Sequence, residues 1–328
     1  MGRYIIKRLL MVIPILIGVT LFIFLTLSLT PGDPAKLAMG NDATEEQLQA
    51  FREQNGLDKS IPVQYLTYMG KAVTGNFGKS FITRQTVTSM IGARIGNTLF
   101  LSFTSIAFTI IVSLIMGVTM AVKQNSLYDN TMRVVTIILT SMPQFWLAIM
   151  MILLFAVKLR WLPSSGLGTF KQAIIPIICC ACSGITMCTR TTRASMLEVI
   201  NQDYIRTARA KGLRSNDIIW RHALKNALLP MITVYGRMVA SCFNGSVVIE
   251  SIFGINGIGT MMMNALRQKD IPAIMGGIII SACVITVVNL LTDLAYAFVD
   301  PRIRSHYRRA SGKKKAVRNT PKEGTVTA

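Results

Sequence analysis

Long, mostly apolar stretches recur along the 328-residue chain, each of a length that crosses or nearly crosses the ~30 Å of hydrocarbon in a bilayer at about 1.5 Å per helical residue. Six such spans are read, from Leu9 to Leu29, Thr98 to Val122, Met132 to Val157, Ala173 to Met187, Met231 to Phe253 and Ile274 to Val299. The fourth is the shortest, contains Pro176 and ends before the charged pair Arg190 and Arg193, so its boundaries can shift by several residues. A water-soluble fold is excluded by composition. Hydrophobic residues make up 51% of the chain and charged residues 15%, where globular domains carry roughly a quarter charged residues. The reading is an all-α integral membrane protein of about six transmembrane helices.

Arg3, Lys7 and Arg8 precede the first apolar run as in a secretory signal. A signal has a shorter apolar core and a small-residue cleavage site, whereas this run reaches Leu29 and meets Pro31-Gly32-Asp33-Pro34. Residues 1–30 are therefore expected to be a retained anchor. The net charge of +20 is informative through its placement. Short segments rich in Lys and Arg stay cytoplasmic. With the N-terminus inside, 22 of the 35 basic residues fall on the cytoplasmic side, so both termini are expected there and the charge does not require nucleic acid.

A polar segment, residues 31–96, separates the first two spans and is expected to be a small external domain. Thr44 and Gln47 have capping-box spacing for a helix start, and Gly56-Leu57-Asp58, Pro62 and Gly75-Asn76-Phe77-Gly78 read as turns. Gly78-Lys79-Ser80 looks like the end of a phosphate-binding loop, but Val73 stands where that loop needs its first glycine. It is rejected as a nucleotide site, and no other stretch offers one. Trp161 suits a membrane interface. All six cysteines fall in or beside spans and serve as small packing residues; contact of Cys179, Cys180 and Cys182 with a soft metal in transit is the alternative. Residues 97–300 form the core and 301–328 a basic tail expected to be disordered, where Lys313, Lys314 and Lys315 can attract anionic membrane lipid.

The connection from Asn201 to Pro230 is longer than a helix hairpin needs. Asn201 or Asp203 can cap a short helix from Tyr204 to Lys211, and Gly212 can end it. Arg206, Arg209, Lys211 and Arg214 crowd this unit, with Ala208 and Ala210 low between them. A second helix is expected over Ser215 to Leu229. Such a segment can rest on lipid headgroups or enter a groove of another protein.

Tyr204-Ile205-Arg206-Thr207-Ala208-Arg209-Ala210-Lys211-Gly212-Leu213, followed by Arg221-His222-Ala223-Leu224-Lys225-Asn226-Ala227-Leu228-Leu229-Pro230, resembles the coupling loop of ABC importer permeases of the dipeptide, oligopeptide and nickel family. Pro31-Gly32-Asp33-Pro34, Gly75-Asn76-Phe77-Gly78-Lys79-Ser80, Asn97-Thr98-Leu99, Pro143-Gln144-Phe145-Trp146, Arg193-Ala194-Ser195-Met196 and Asp300-Pro301-Arg302 extend the resemblance over nearly the whole chain. Two departures stand out. Arg206-Thr207-Ala208 occupies the place of Glu-Ala-Ala in the broader permease motif, a variant common in the peptide class, and Asn256 stands where a proline is common.

The resemblance implies a type I ABC importer permease fold in a bacterial inner membrane. It also implies a second homologous permease subunit, two ATPase subunits and an external substrate-binding protein. ATP and Mg would be bound by the ATPases, with no cofactor or metal held by this chain and no catalysis in it. Arg206, Thr207, Ala208, Arg209, Ala210, Lys211, Gly212 and Leu213 would then couple to an ATPase, with peptides or nickel as cargo.

Few ionisable residues lie within the spans, where each costs several kcal/mol unless paired or wet. Arg237 and Asp293 are both expected about 10 Å from the cytoplasmic face and are read as an ion pair or a polar patch on the path. Glu250, near the external end of the fifth span, is either an outer-gate residue or faces water. An ion-driven secondary transporter would show inverted repeats and paired membrane acids, and neither is found. His222 and His306, the only histidines, have no metal-ligand or nucleophile constellation around them, which argues against a membrane-embedded enzyme.

Overall fold

The computed structural model describes residues 2–40 and 42–299, and the side chains there except at 2–9, 229, 240, 244, 245 and 293–299. The tail 301–328 and the Asp300-Pro301-Arg302 motif lie outside the described residues. Every apolar run is helical, with one break. In chain order the helices are α1 (Gly2–Leu29), α2 (Pro34–Met39), α3 (Glu45–Asn55), α4 (Ile61–Val73), α5 (Val87–Val122), α6 (Leu127–Ser141) and α7 (Gln144–Met151). There follow α8 (Phe170–Ile200), α9 (Asp203–Ala210), α10 (Ser215–Asp217), α11 (Leu224–Ile252), α12 (Ile258–Arg267) and α13 (Ile271–Val299). Wider π-type turns extend α7 over Ile152–Lys158 and join α10 to α11 over Ile218–Ala223.

The span expected from Met132 to Val157 is two helices bent by 107°. Pro143 has no N–H to give the helix and forces Met142 into extended backbone (ψ 126°), so α6 must stop and α7 starts afresh. Among the described residues, five helices are long and apolar enough to cross a membrane, six if the bent pair counts as one span. The fourth span is also longer than expected. Thr169 and Gln172 form a capping box at its start, and α8 runs past Met187 through Arg190 and Arg193 to Ile200.

The centre of the bundle is α5 against α8, with α11 laid on both and α13 closing on α11 and α1. Small residues let these helices approach. A Cβ on Gly117 would lie 2.5 Å from Thr192 and one on Gly184 2.8 Å from Met238, so the α5–α8 and α8–α11 contacts each depend on a bare backbone. Ser102, Ser105, Thr109 and Ser113 are buried along one stripe of α5. Ser105 and Thr109 donate across to the carbonyls of Ile177 and Ala181 at 3.4 Å. Cys179, Cys180, Cys182, Cys188 and Cys242 are buried among these helices, whereas Cys283 is exposed.

Helices α2, α3 and α4 build a small layer at one end of the bundle. Thr44 and Gln47 cap α3 reciprocally as the sequence suggests, while Pro62 lies in the first turn of α4. Asp33 caps α2 and pairs with Arg52 at 2.6 Å. The layer is not self-sufficient: Leu48, Phe51, Tyr65 and Phe81 share their core with Phe24 of α1 and Ile271 and Met275 of α13. Tyr65 also hydrogen-bonds Thr20 of α1 at 3.0 Å.

Candidate functional site

At the opposite end of the bundle, α9 is seated by its apolar side. Ile205 and Ala208, three residues apart and thus on one helical face, are buried with Val118 and Ala121 of α5, Met196 of α8, and Ala227 and Met231 of α11. Arg206, Thr207, Arg209, Ala210, Lys211, Gly212 and Leu213 are exposed. Ala208 therefore differs from its expected placement: it fixes α9 to the spans instead of lying low between the basic residues. Gln202, not Asn201 or Asp203, occupies the N-cap position, with no side-chain cap. Asn201 ends α8, and Asp203 opens the first turn of α9.

Gly212 ends the element at φ +75°, in the left-handed region that disfavours a side chain, and an added Cβ there would meet nothing within 4 Å. Its exposed backbone is open to close approach. The exposed face is basic. Arg206 approaches Asp203 at 3.8 Å with both groups open to water, a pair worth at most about 1 kcal/mol. Among the described residues, Arg209, Lys211 and Arg214 have no ion-pair partner. The expected second helix starts at Ser215 but does not end at Leu229. Helical turns continue without a gap into α11, with Pro230 inside it. Asn226 on that rod donates to the Tyr204 hydroxyl at 3.0 Å, tying α9 to it.

Beneath this loop lies a polar group of residues that the sequence reading missed. Asp129 is fully buried and accepts from Arg193 through Nε at 2.7 Å and Nη2 at 2.8 Å. The backbone N–H of Asn125 donates to it at 3.0 Å and Arg133 approaches at 3.3 Å. This joins α6 to α8 one turn from Met196. The Tyr235 hydroxyl of α11 meets Ser113 of α5 at 2.7 Å and Thr192 of α8 at 3.2 Å, so three helices converge there. Arg193 was visible as an arginine at the edge of a span. Its partner, 64 residues away, gave no local pattern.

Glu250 does not face water. It is fully buried at the other end of α11, and its Oε2 accepts the N–H of Gly259 at 2.7 Å in the first turn of α12. A Cβ on Gly257 would lie 2.3 Å from this carboxylate, so the glycines exist to admit it, and the partial positive charge of the helix start favours it. Asn256, at the family's proline position, accepts a hydrogen bond from Asn97 through its backbone carbonyl at 2.9 Å. Arg237 is exposed on α11; the side chain of Asp293, its expected partner, lies outside the described residues.

Gly78-Lys79-Ser80 has a structural use. Ser80 donates to the buried carboxylate of Asp270, and the N–H of Phe81 donates to the same group at 3.0 Å. The neighbouring Lys269 donates to the carbonyls of Thr30 at 2.7 Å and Gly32 at 3.2 Å, and to that of Pro31. The α12–α13 turn thus holds both strands of chain that lead into and out of the small layer.

Residues 113–305 match the sequence model of the binding-protein-dependent transport system inner membrane component, and residues 1–102 match that of its N-terminal part. The chain belongs to this family of inner-membrane permeases. It is 40% identical over 314 residues to the oligopeptide transport system permease protein AppB of Bacillus subtilis, covering 92% of this chain and 99% of that one. It is 34% identical over 304 residues to the glutathione transport system permease protein GsiC of Escherichia coli K12, covering 93% and 99%. A chain of the MetNI methionine ABC transporter superposes with a TM-score of 0.55 at 20% identity, over 64% of this chain and 96% of that one, which shows the shared fold. The protein is an ABC importer permease subunit with a type I fold, a multi-pass inner-membrane protein and not an enzyme.

Proposed function

We propose that this permease forms half of the path for short peptides and couples to a separate ATPase through residues 206–213, with both termini and the loop 201–230 cytoplasmic. A second homologous permease, a second ATPase and an external binding protein complete the assembly, and ATP with Mg belongs to the ATPases. The observation that carries the reading is the two-sided nature of α9. Its inner face is packed into α5, α8 and α11, so a push on it moves the spans, while its outer face is bare and basic. The family implies such an ATPase partner, and acidic groups in a docking groove would match Arg206, Arg209 and Lys211. Relatives named for oligopeptides and glutathione favour peptides as cargo.

The pivot is tested at Gly212. Gly212→Ala fits the available space and costs only left-handed strain of about 1 kcal/mol, so uptake should persist near the parent rate. Gly212→Glu adds bulk and an opposing charge at the docking face and should leave the complex inserted while uptake falls at least tenfold relative to ATP hydrolysis. Equal coupling in both variants would refute the role. The second membrane proposal is that Arg237 and Asp293 pair. The exchange Arg237→Asp with Asp293→Arg should recover uptake lost in either single variant, and no recovery would refute the pairing.

A further inference from the structure

A cleft of about 580 Å³ opens between the α3–α4 turn, α4, the 76–81 loop and the start of α13. Its floor is aromatic and sealed: Phe77 and Phe81 are buried, and the half-buried Tyr68 reaches the carbonyl of Pro272 at 3.4 Å. Its rim is cationic. Lys59, Lys71, Lys79 and Arg84 line it against a single carboxylate, Glu53. All four cations are exposed, and among the described residues none has an ion-pair partner. Unpaired like charges gathered around one opening repel one another and are relieved by a negatively charged occupant.

The loop carrying two of these cations is held in shape before any occupant arrives. Ser80 and Phe81 are fastened to Asp270, the Ser80 hydroxyl accepts the N–H of Thr83 at 2.9 Å, and Arg84 lies over the Phe51 ring at 4.9 Å. A site that does not have to be ordered on binding loses less affinity to ordering. The chemistry of the rim selects between possible occupants. A small-molecule pocket encloses most of its ligand among apolar walls with a few fixed polar groups. Here the charged groups are exposed lysines and an arginine at the outer edge, while Phe77 and Phe81 of the floor are buried and leave little apolar wall to enclose a small ligand.

We propose that this cleft docks an acidic segment of the external binding protein. This rests on the importer reading above and adds to it the place and the charge of the contact. Through Asp270 and the start of α13, an occupant of the cleft bears directly on a span, so arrival of the binding protein is felt within the bundle.

The test uses the assembled complex with its ATPases in lipid nanodiscs and the cognate binding protein. The triple variant Lys59→Glu, Lys71→Glu, Lys79→Glu is compared with a control, Lys158→Glu with Lys171→Glu, that changes exposed lysines of another connection. In the cleft variant, affinity for the binding protein should fall at least tenfold at low salt and lose most of its salt dependence, while the control keeps both. Unchanged affinity in the cleft variant, or an equal loss in the control, overturns the proposal. So does binding of a free acidic tripeptide to the parent complex, without the binding protein, that the cleft variant abolishes, since the cleft would then hold cargo. Recovery of the variant as an intact complex by size exclusion guards against misfolding, and Lys59→Gln with Lys71→Gln gives the milder arm, in which an intermediate loss is expected. A parent complex that took up solute with neither ATPase nor binding protein would instead refute the importer reading, independently of any difference between the variants.

Discussion

Asp129 accepts from Arg193, Arg133 and the N–H of Asn125, and none of it is open to water. Removing one partner of such a pair strands the other, whereas replacing both with apolar groups of similar size is often tolerated. Asp129→Ala should therefore cost about 3 kcal/mol, with Asp129→Leu plus Arg193→Met recovering most of it. The thermal midpoint of the detergent-solubilised complex measures this, and a single variant as stable as the parent would show the pair to be idle. The same scale marks the limit of sequence reading. Thr44 and Gln47 are three residues apart and their reciprocal cap was legible. Glu250 lay in plain view but was expected at a gate or in water, because only the fold brings Gly257 and Gly259 against its carboxylate.

Helix α12 is held at both ends by charge. Its first turn receives Glu250 from α11, and the turn after it supplies Lys269 and Asp270 to the small layer. An amphipathic element gripped in this way can shift only if one of the grips yields, so it links the end of α11 with the loop at 80–81. Asp270→Ala deletes the acceptor for both the Ser80 hydroxyl and the Phe81 N–H. Amide exchange across 79–84 should then accelerate roughly tenfold, matching about 1.4 kcal/mol of local opening, with 203–213 unaffected. Exchange that does not change in 79–84 would show that the latch carries no load. Elements were read well where periodicity and apolarity agree, and poorly where one proline decides: Met142 and Pro143 sit inside an unbroken apolar run, yet turn it through 107°. Likewise Arg190 and Arg193 looked like a span's end only because Asp129, which accommodates Arg193, is distant in sequence.

Across the whole molecule, the number of spans and the exposed, basic character of 206–214 were legible because both rest on local patterns: apolar length in the first case, basic and small residues at helical spacing in the second. The way the two ends of the bundle are tied was not legible, because it rests on contacts between residues as far apart as Ser80 and Asp270. Those contacts impose a sequence of events on synthesis. Residues 31–96 leave the ribosome early, but the core they need includes Ile271 and Met275, and their latch is Asp270. Until α13 is made and inserted, this layer lacks one wall and its main anchor. Nascent chains arrested before Asp270 should thus carry an unfinished layer open to proteases and chaperones.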